Sequence, residues 1–297
     1  MGTIVIAGGT GLLGTALVRA LRADGHRLIV LTRRPTHEHD VQWSAREDDM
    51  GWTSVLNGAQ AVVNLAGASI GGGRWTTARK ALIRESRTRA TGALVKAMTK
   101  SLQPPPVFIS SSAVGIYGTR GEEPVTESSA PGSDFLAVVC RDWERVADQA
   151  PRTSRVVLLR SGVVLARHGG ALPQLALPFK LFAGGPAGTG RQFISWIHID
   201  DWVAMVKWAL AMPDVAGAVN VTAPVPVTNE EFSRTLGRIL GRPSWLRAPA
   251  FALRLALGEM ADGLILGGQR VLPDVARKHG FVFRYPTLEP ALRAIYR

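Results

Sequence analysis

The sequence contains a single cysteine, Cys140, among its 297 residues. A disulfide within the chain and a metal site built on clustered cysteines are therefore excluded, and we expect no metal ion. Long hydrophobic runs are also missing, since no apolar stretch approaches the roughly 20 residues of a membrane-spanning helix. The first residues lack the basic and apolar regions of a secretory signal peptide. We therefore expect a soluble, cytoplasmic protein without a membrane partner.

Acidic residues are too few to balance the basic ones, because 23 Asp and Glu accompany 35 Lys and Arg, which gives a formal net charge of +12. Such a charge can serve nucleic-acid binding. However, the arginines are scattered, and neither a zinc-finger spacing nor a basic tail is present, so we expect no nucleic-acid partner. The densest basic group either attracts an anionic cofactor or substrate or is a solvated helix face. Its members are Arg74, Arg79, Lys80, Arg84, Arg87 and Arg89.

The clearest positive signal is a strand–turn–helix–strand pattern at the start of the chain. Thr3–Ala7 and Arg27–Thr32 are apolar, strand-like runs, and an amphipathic stretch over 13–23 lies between them. The intervening glycines have the spacing of a dinucleotide-binding turn, which needs a tight bend, close approach of a pyrophosphate and close helix packing. The helix N-terminus then offers free N–H groups to phosphates. The predicted cofactor-binding residues here are Gly8, Thr10, Gly11, Leu12, Leu13 and Gly14.

The end of the second strand predicts which dinucleotide binds. NAD-binding units usually place Asp or Glu about 20 residues after the glycines, where it binds the ribose 2′-OH. Here Arg33 and Arg34 follow the strand, and no acid does. Because a guanidinium can pair with a 2′-phosphate, the sequence favours NADP(H) over NAD(H). The alternative is that both arginines are solvated loop charges.

Strands and helices continue to alternate, which predicts an α/β fold with a Rossmann-type, doubly wound parallel sheet. Further strands are predicted over 41–43, 61–65, 107–110 and 155–160, with helices over 75–100 and 135–150. Ligands of such sheets lie beyond the carboxyl ends of the strands. This rule adds Leu65, Ala66, Gly67, Ser110, Ser111 and Arg160 to the predicted cofactor site.

The predicted dinucleotide-binding domain covers 1–160, with returns to the sheet at about 191–225. A smaller, mostly helical substrate domain is expected from 161–190 and 226–297. Thr228 and Glu231 have the spacing of a capping box, which predicts a helix that begins there. A short strand is expected over 281–283.

Several motifs together resemble the extended and atypical short-chain dehydrogenases/reductases, in particular the NAD(P)-dependent epimerase family branch with a short C-terminal domain of unknown function. They are GGTGLLG (8–14), VVNLAG (62–67), RWT (74–76), SSSAVGIYG (110–118), DFLAVVCRDWE (134–144), SWIHIDD (195–201), and PAFALRLALGEM with GGQRVLP (249–273). The resemblance implies a Rossmann core, a nicotinamide cofactor and a small substrate domain.

The wider group uses a Ser and a Tyr-x-x-x-Lys pair, whose Tyr is the general acid/base. The resemblance places Ser112 at the Ser position. The pair itself is absent, and alignment on Glu144 puts Leu136 and Cys140 where Tyr and Lys would be. The resemblance therefore implies the fold and the cofactor but leaves the proton-transfer group open.

The candidate catalytic residues are Ser112, Tyr117 and His198. Tyr117 is the first choice as a replacement acid/base and His198 the second, because imidazole titrates near neutral pH. Each of these residues also has an alternative role. Tyr117 could be an aromatic that packs over the cofactor, and His198 could cap a helix or pack at the domain junction. The alternative for Cys140 is a small buried hydrophobic residue.

Arg74, Trp75 and Arg87 are the candidate substrate-binding residues. Arg87 lies one helical turn before Thr91 on the same predicted helix face. An arginine there either binds a substrate carboxylate or phosphate or forms a surface ion pair.

Two functions remain open at this point. One is an NADP(H)-dependent oxidoreductase or epimerase that acts on an unknown small, anionic or neutral, carbonyl or hydroxyl substrate. The other is a non-catalytic NADP(H)-binding redox sensor or scaffold. A homodimer is the oligomeric state that we consider for either function.

Overall fold

The computed structural model describes residues 2–45 and 51–297. The strands are β1 (Thr3–Ala7), β2 (Arg27–Thr32), β3 (Asp40–Gln42), β4 (Ala61–Asn64), β5 (Val107–Ala113), β6 (Pro124–Val125), β7 (Arg155–Ser161), β8 (Val163–Leu165), β9 (Phe193–Ile194), β10 (Trp196–His198), β11 (Gly217–Val221), β12 (Val227–Thr228) and β13 (Arg270–Val271). The α-helices are α1 (Leu12–Ala23), α2 (Thr77–Lys100), α3 (Phe135–Ala147), α4 (Leu172–Lys180), α5 (Ile199–Ala211), α6 (Asn229–Leu240), α7 (Ala250–Leu257), α8 (Glu259–Ala261), α9 (Asp274–Lys278) and α10 (Leu288–Tyr296). A 3-10 turn over Val114–Tyr117 follows β5 directly.

A seven-stranded parallel sheet in the order β11-β7-β5-β4-β1-β2-β3 forms the centre of the molecule. Side chains alternate across it, as strand geometry requires. Ile4 and Ile6 of β1 face α1 and α5, whereas Val5 and Ala7 face α2. Helices therefore cover both faces, which confirms the predicted Rossmann-type α/β fold.

Only part of the predicted return to this sheet is correct. β11 joins the sheet beside β7, and α5 packs against α1. The segment 193–198 does not join it, because β10 pairs with β8 and β9 pairs with β12 in separate two-stranded sheets. The predicted strand over 281–283 is also wrong. Phe281 and Phe283 instead stack edge to face at 4.8 Å and pack against the core beneath α5.

A second apolar core lies among α4, α6 and α10. As the sequence predicts, Thr228 caps α6: its hydroxyl accepts a hydrogen bond from the Glu231 backbone, and the Glu231 carboxylate accepts one from the Thr228 backbone. The assignment of 161–190 and 226–297 to a substrate domain stays a prediction. Among the described residues, no helix is both long and apolar enough to cross a membrane.

Candidate functional site

The turn between β1 and α1 can be built only with glycine at two of its positions. Gly8 has a φ of +79°, a left-handed conformation that side chains disfavour. A Cβ on Gly8 would lie 2.7 Å from the Leu65 carbonyl carbon, and a Cβ on Gly14 would collide with the backbone of Gly8. The turn therefore brings α1 against β1 and places Leu65 and Ala66, at the end of β4, directly beside Gly8.

The N-terminus of α1 is open toward this turn. Gly11 is the N-cap, no side chain caps the helix, and its first turn contains no acid. The free N–H groups and the positive end of the helix dipole suit an anion. Among the described residues, a Cβ on Gly11 would meet the Gly8 oxygen alone, at an ordinary contact distance of 3.5 Å. These residues fit a pyrophosphate, with Thr10 exposed beside it, Leu12 half-buried and Leu13 packed on the core.

The end of β2 has the features expected for a 2′-phosphate site. Arg33 and Arg34 are exposed, and neither guanidinium has a hydrogen bond or ion pair within 2–45 and 51–297. The Thr32 hydroxyl accepts a hydrogen bond from the Arg34 backbone at 3.3 Å. Asp40 holds the following loop by accepting bonds from two backbone N–H groups, at 2.9 and 3.0 Å. Two free guanidinium groups are therefore available at the position that distinguishes NADP(H) from NAD(H).

A buried hydrogen-bond cluster fixes the end of β4. The Asn64 amide donates to the Thr91 hydroxyl at 2.8 Å, and the Trp143 indole donates to the same oxygen at 2.8 Å. The Asn64 side-chain oxygen accepts a bond from the Ala66 backbone. Ser110, fully buried on β5, lies 3.4 Å from the Asn64 amide nitrogen. Of this cluster only Ser110 was among the predicted site residues, although an Asn within the apolar strand β4 is a sequence signal for buried hydrogen bonding.

Ser112 lies in a buried ionic network rather than alone at the end of β5. Its hydroxyl donates a 2.6 Å hydrogen bond to Glu144 of α3. Arg160 of β7 holds the same carboxylate with two bonds of 2.8 and 2.9 Å. The Arg160 and Glu144 side chains are only 12% and 9% exposed. The hydrogen-bonding groups of Arg160 are thus used within the protein, and these contacts argue against its predicted role in binding the cofactor. Ser111, which precedes Ser112 on β5, is half-buried.

Tyr117 belongs to the same network and is fully buried. Its hydroxyl donates to the Asn220 side-chain oxygen at 2.7 Å and accepts from Arg160 at 3.0 Å. Burial raises the pKa of Tyr117 above its usual range. Because both hydrogen-bonding directions are used inside the protein, these contacts favour a supporting role over the predicted acid/base role.

The two residues that replace the Tyr and Lys of the wider group contribute no proton-transfer group. Leu136 is half-buried and lies against Gly115. Cys140 is buried, and burial together with the Glu144 charge raises the pKa of its thiol to about 12. The thiol is therefore protonated at neutral pH and packs as a small apolar group, which is the alternative considered for it above.

His198 caps a helix. Its Nδ1 accepts a hydrogen bond from the Asp200 backbone at the start of α5, and its ring lies 4.1 Å from the Tyr285 ring. Burial lowers the pKa of His198, against the opposing effect of Asp200. No hydrogen bond in the described part of the chain links His198 to the Ser112 network. The geometry thus supports the capping alternative for this residue.

The three candidate substrate residues have different surroundings. Trp75 is buried, donates from its indole to the Ile70 carbonyl and stacks on Phe135 at 5.1 Å, so it joins α2 to α3. Arg74 is exposed beside Gly258. Arg87 is half-buried, donates to the Ile83 carbonyl at 2.8 Å and has no acidic partner among the described residues.

Arg87 lies against the residues that follow β4. A Cβ on Gly67 would lie 3.3 Å from its guanidinium carbon, which also lies 5.1 Å from the Trp143 ring. Gly67 follows β4 next to the cofactor turn and is exposed. The end of β4 and Arg87 thus meet at one edge of the sheet, where ligands of this fold lie.

Comparison with known proteins agrees with this geometry. Residues 4–222 match the model of the NAD dependent epimerase/dehydratase family, and residues 248–295 match a domain of unknown function, DUF1731. The chain is 43% identical to the chloroplastic epimerase family protein SDR39U1 homolog of Arabidopsis thaliana, over 99% of this chain and 86% of that protein. It is 42% identical to the epimerase family protein YfhF of Bacillus subtilis, over 97% and 96%.

Among solved structures, human epimerase family protein SDR39U1 (isoform 2), determined with NADPH, superposes with a TM-score of 0.92 at 34% identity, covering 99% of both chains. The match to the family model spans the whole sheet from β1 to β11, including the glycine turn and the Ser112 network. The chain therefore belongs to the NAD dependent epimerase/dehydratase family, with a C-terminal DUF1731 domain.

Proposed function

We propose that the chain is an NADP(H)-dependent oxidoreductase or epimerase of the short-chain type that acts on a small molecule bearing a hydroxyl or carbonyl group. The observation that carries this proposal is the pair of exposed arginines at the end of β2, Arg33 and Arg34, which have no side-chain partner among the described residues and follow the strand beside the uncapped α1 turn. A 2′-phosphate provides the partner that these guanidinium groups lack. The human relative whose structure was determined with NADPH supports the same choice.

Bound NADP(H) would supply or accept a hydride, and the chain would hold the substrate oxygen. A serine hydroxyl has one proton to donate and lone pairs with which to accept. The proton of Ser112 is directed to Glu144 at 2.6 Å, so its oxygen is left as an acceptor. Ser112 therefore suits a substrate hydroxyl, which donates a hydrogen bond, better than a carbonyl, which needs one.

A non-catalytic NADP(H)-binding sensor or scaffold is the second candidate. It is favoured by the residues found where proton transfer would occur. Leu136 has no exchangeable proton, the Cys140 thiol has a pKa of about 12, and Tyr117 is fully buried. A protein that only binds the cofactor needs none of these groups to be reactive.

Two measurements separate these candidates. The first is calorimetric titration of NADPH and NADH into the full chain. The second is turnover of a panel of small hydroxy acids, sugar phosphates, aldehydes and ketones, followed by nicotinamide absorbance for net oxidation or reduction and by product analysis for epimerisation, which leaves the cofactor unchanged. NADPH binding with turnover of a panel member supports the enzyme. Tight NADPH binding without turnover across the panel supports the sensor, and failure to bind NADPH contradicts both. A cytoplasmic location and a homodimer remain predictions from the sequence.

A further inference from the structure

Five cations lie in the first half of α2, over 77–89, and they fall into two groups according to their partners. Three are paired with carboxylates at distances of 2.5 to 2.8 Å: Lys80 with Glu259, Arg84 with Asp142 and Arg89 with Glu85. Arg79 and Arg87 have no acidic partner anywhere in the described ranges. Within this part of α2, the two arginines turned toward the β4 loop are therefore the ones that lack a counter-charge among the described residues.

Both of these arginines contact the same loop, 67–72, which follows β4. The Arg87 guanidinium lies against Gly67, while Arg79 donates to the Ser69 carbonyl and lies against Gly72. The two residues are about two helical turns apart, on one face of α2. The Arg79 Nε is buried and has no hydrogen-bond partner in the part of the chain that the structure describes. Two guanidinium groups therefore lie against this loop, and both have N–H groups that remain available to a ligand.

This arrangement is electrostatically unfavourable without a ligand. Burial lowers the pKa of Arg87, and the neighbouring charge of Arg79 lowers it as well. Partly buried charges without a partner cost free energy, and like charges add to that cost. A carboxylate or phosphate between the two side chains would neutralise both and would use the planar donors of arginine.

We infer that Arg79 and Arg87 form an oxyanion subsite that binds a carboxylate or phosphate group of the substrate. The inference rests on the proposed function, because it needs a small-molecule substrate in the cleft beside the cofactor. The proposed partners of the cofactor phosphates lie elsewhere, at the α1 turn and at Arg33 and Arg34. The 67–72 loop instead leads away from Gly8 toward Trp75, which packs against Met260 of the C-terminal region. The subsite thus lies on the side of the cleft where the substrate domain is expected.

The test uses inorganic phosphate as the probe. Phosphate is titrated calorimetrically into the full chain saturated with NADPH, so that the cofactor occupies its own phosphate sites. We expect Arg79→Gln and Arg87→Gln each to weaken phosphate binding about tenfold or more, because each removes charge-assisted hydrogen bonds. Arg87→Lys, which keeps the charge beside Trp143, should give a smaller loss and covers the case that the Gln variant fails to fold.

The matched control is Arg89→Gln, which removes the same charge from the outer face of α2, where the Arg89 side chain is 68% exposed. The phosphate affinity of this control should change less than about twofold, because an exposed surface charge contributes little. The NADPH affinity of every variant, measured in phosphate-free buffer, should also change less than about twofold. No phosphate binding by the wild type, or equal affinity in all variants, would overturn the subsite.

A loss of NADPH affinity that matches the loss of phosphate affinity would place the cofactor pyrophosphate on this pair and overturn the substrate assignment. If the wild type does not bind NADPH, the titration is made on the free protein. Selective loss of phosphate in the Arg79 and Arg87 variants would then support the subsite, although the proposed function had failed.

Discussion

Ser112 donates its only hydroxyl proton to Glu144, and this 2.6 Å hydrogen bond joins the end of β5 to α3. Arg160 binds both oxygens of the same carboxylate from β7. Three elements around the candidate site are thus held by one buried carboxylate. The orientation of the Ser112 oxygen is therefore set by an ion pair and not by a ligand.

Removal of the Glu144 charge should be strongly destabilising. We expect Glu144→Gln to lower the free energy of unfolding by about 3–5 kcal/mol, because Arg160 is left charged and buried without its partner. Denaturant unfolding measures this change. The same substitution at the exposed pair of Glu85 with Arg89 should cost no more than about 1 kcal/mol. Equal, small losses in the two variants would contradict the structural role given to Glu144.

Tyr117→Phe separates support from catalysis. If Tyr117 has a supporting role, the Phe variant leaves the buried Asn220 oxygen without its hydrogen-bond donor. This loss should lower the free energy of unfolding by about 1–3 kcal/mol. NADPH affinity should be nearly unchanged, and turnover of any substrate that is found should fall less than tenfold. As a general acid/base, it would lower turnover by about 10²–10⁴-fold. Unfolding and steady-state kinetics on one preparation distinguish these results, and we expect the first.

His198 should make stability depend on pH. Burial, the largest effect, lowers the pKa of His198 below the ordinary value of about 6.5, although Asp200 and Asp201 oppose it. The unfolded chain then binds more protons below about pH 6.5, so stability is full above that pH and is lost as the pH falls. His198→Asn keeps a helix-capping acceptor that does not titrate. Urea unfolding from about pH 7.5 to 5.5 should show a steeper loss for the wild type, and parallel profiles would refute this account.

Local patterns predicted the elements whose causes are local. The glycine spacing identified the β1–α1 turn because Gly8 and Gly14 have no room for a side chain. The Thr228–Glu231 pair identified the start of α6 because both bonds of its capping box span three residues. The missing acid after β2 predicts the cofactor preference in the same way, since that position lies at a fixed distance from the turn, and this preference stays a prediction.

Contacts between distant parts of the chain could not be predicted in this way. Nothing near Tyr117 in the sequence indicates that the Asn220 side chain accepts a hydrogen bond from its hydroxyl. The apolar run over 193–198 has the pattern of a strand of the central sheet, but it forms two short strands, of which β9 pairs with β12 and β10 pairs with β8. Arg79 and Arg87 look like the other cations of α2 until the partners of those cations are known. In each case the role depends on contacts between residues that are distant in the sequence, and the hydrophobic pattern does not predict such contacts.

The central claim is that the glycine turn and the end of β2 bind NADP(H) in preference to NAD(H). The most direct test is calorimetric titration of both cofactors into the wild type, Arg33→Ala and Arg34→Ala. We expect the wild type to bind NADPH more tightly than NADH. At least one variant should lose about 1.5–3 kcal/mol of NADPH binding, the contribution of a charge-assisted phosphate contact, with its NADH affinity unchanged. Equal losses for both cofactors, or no loss in either variant, would contradict the account.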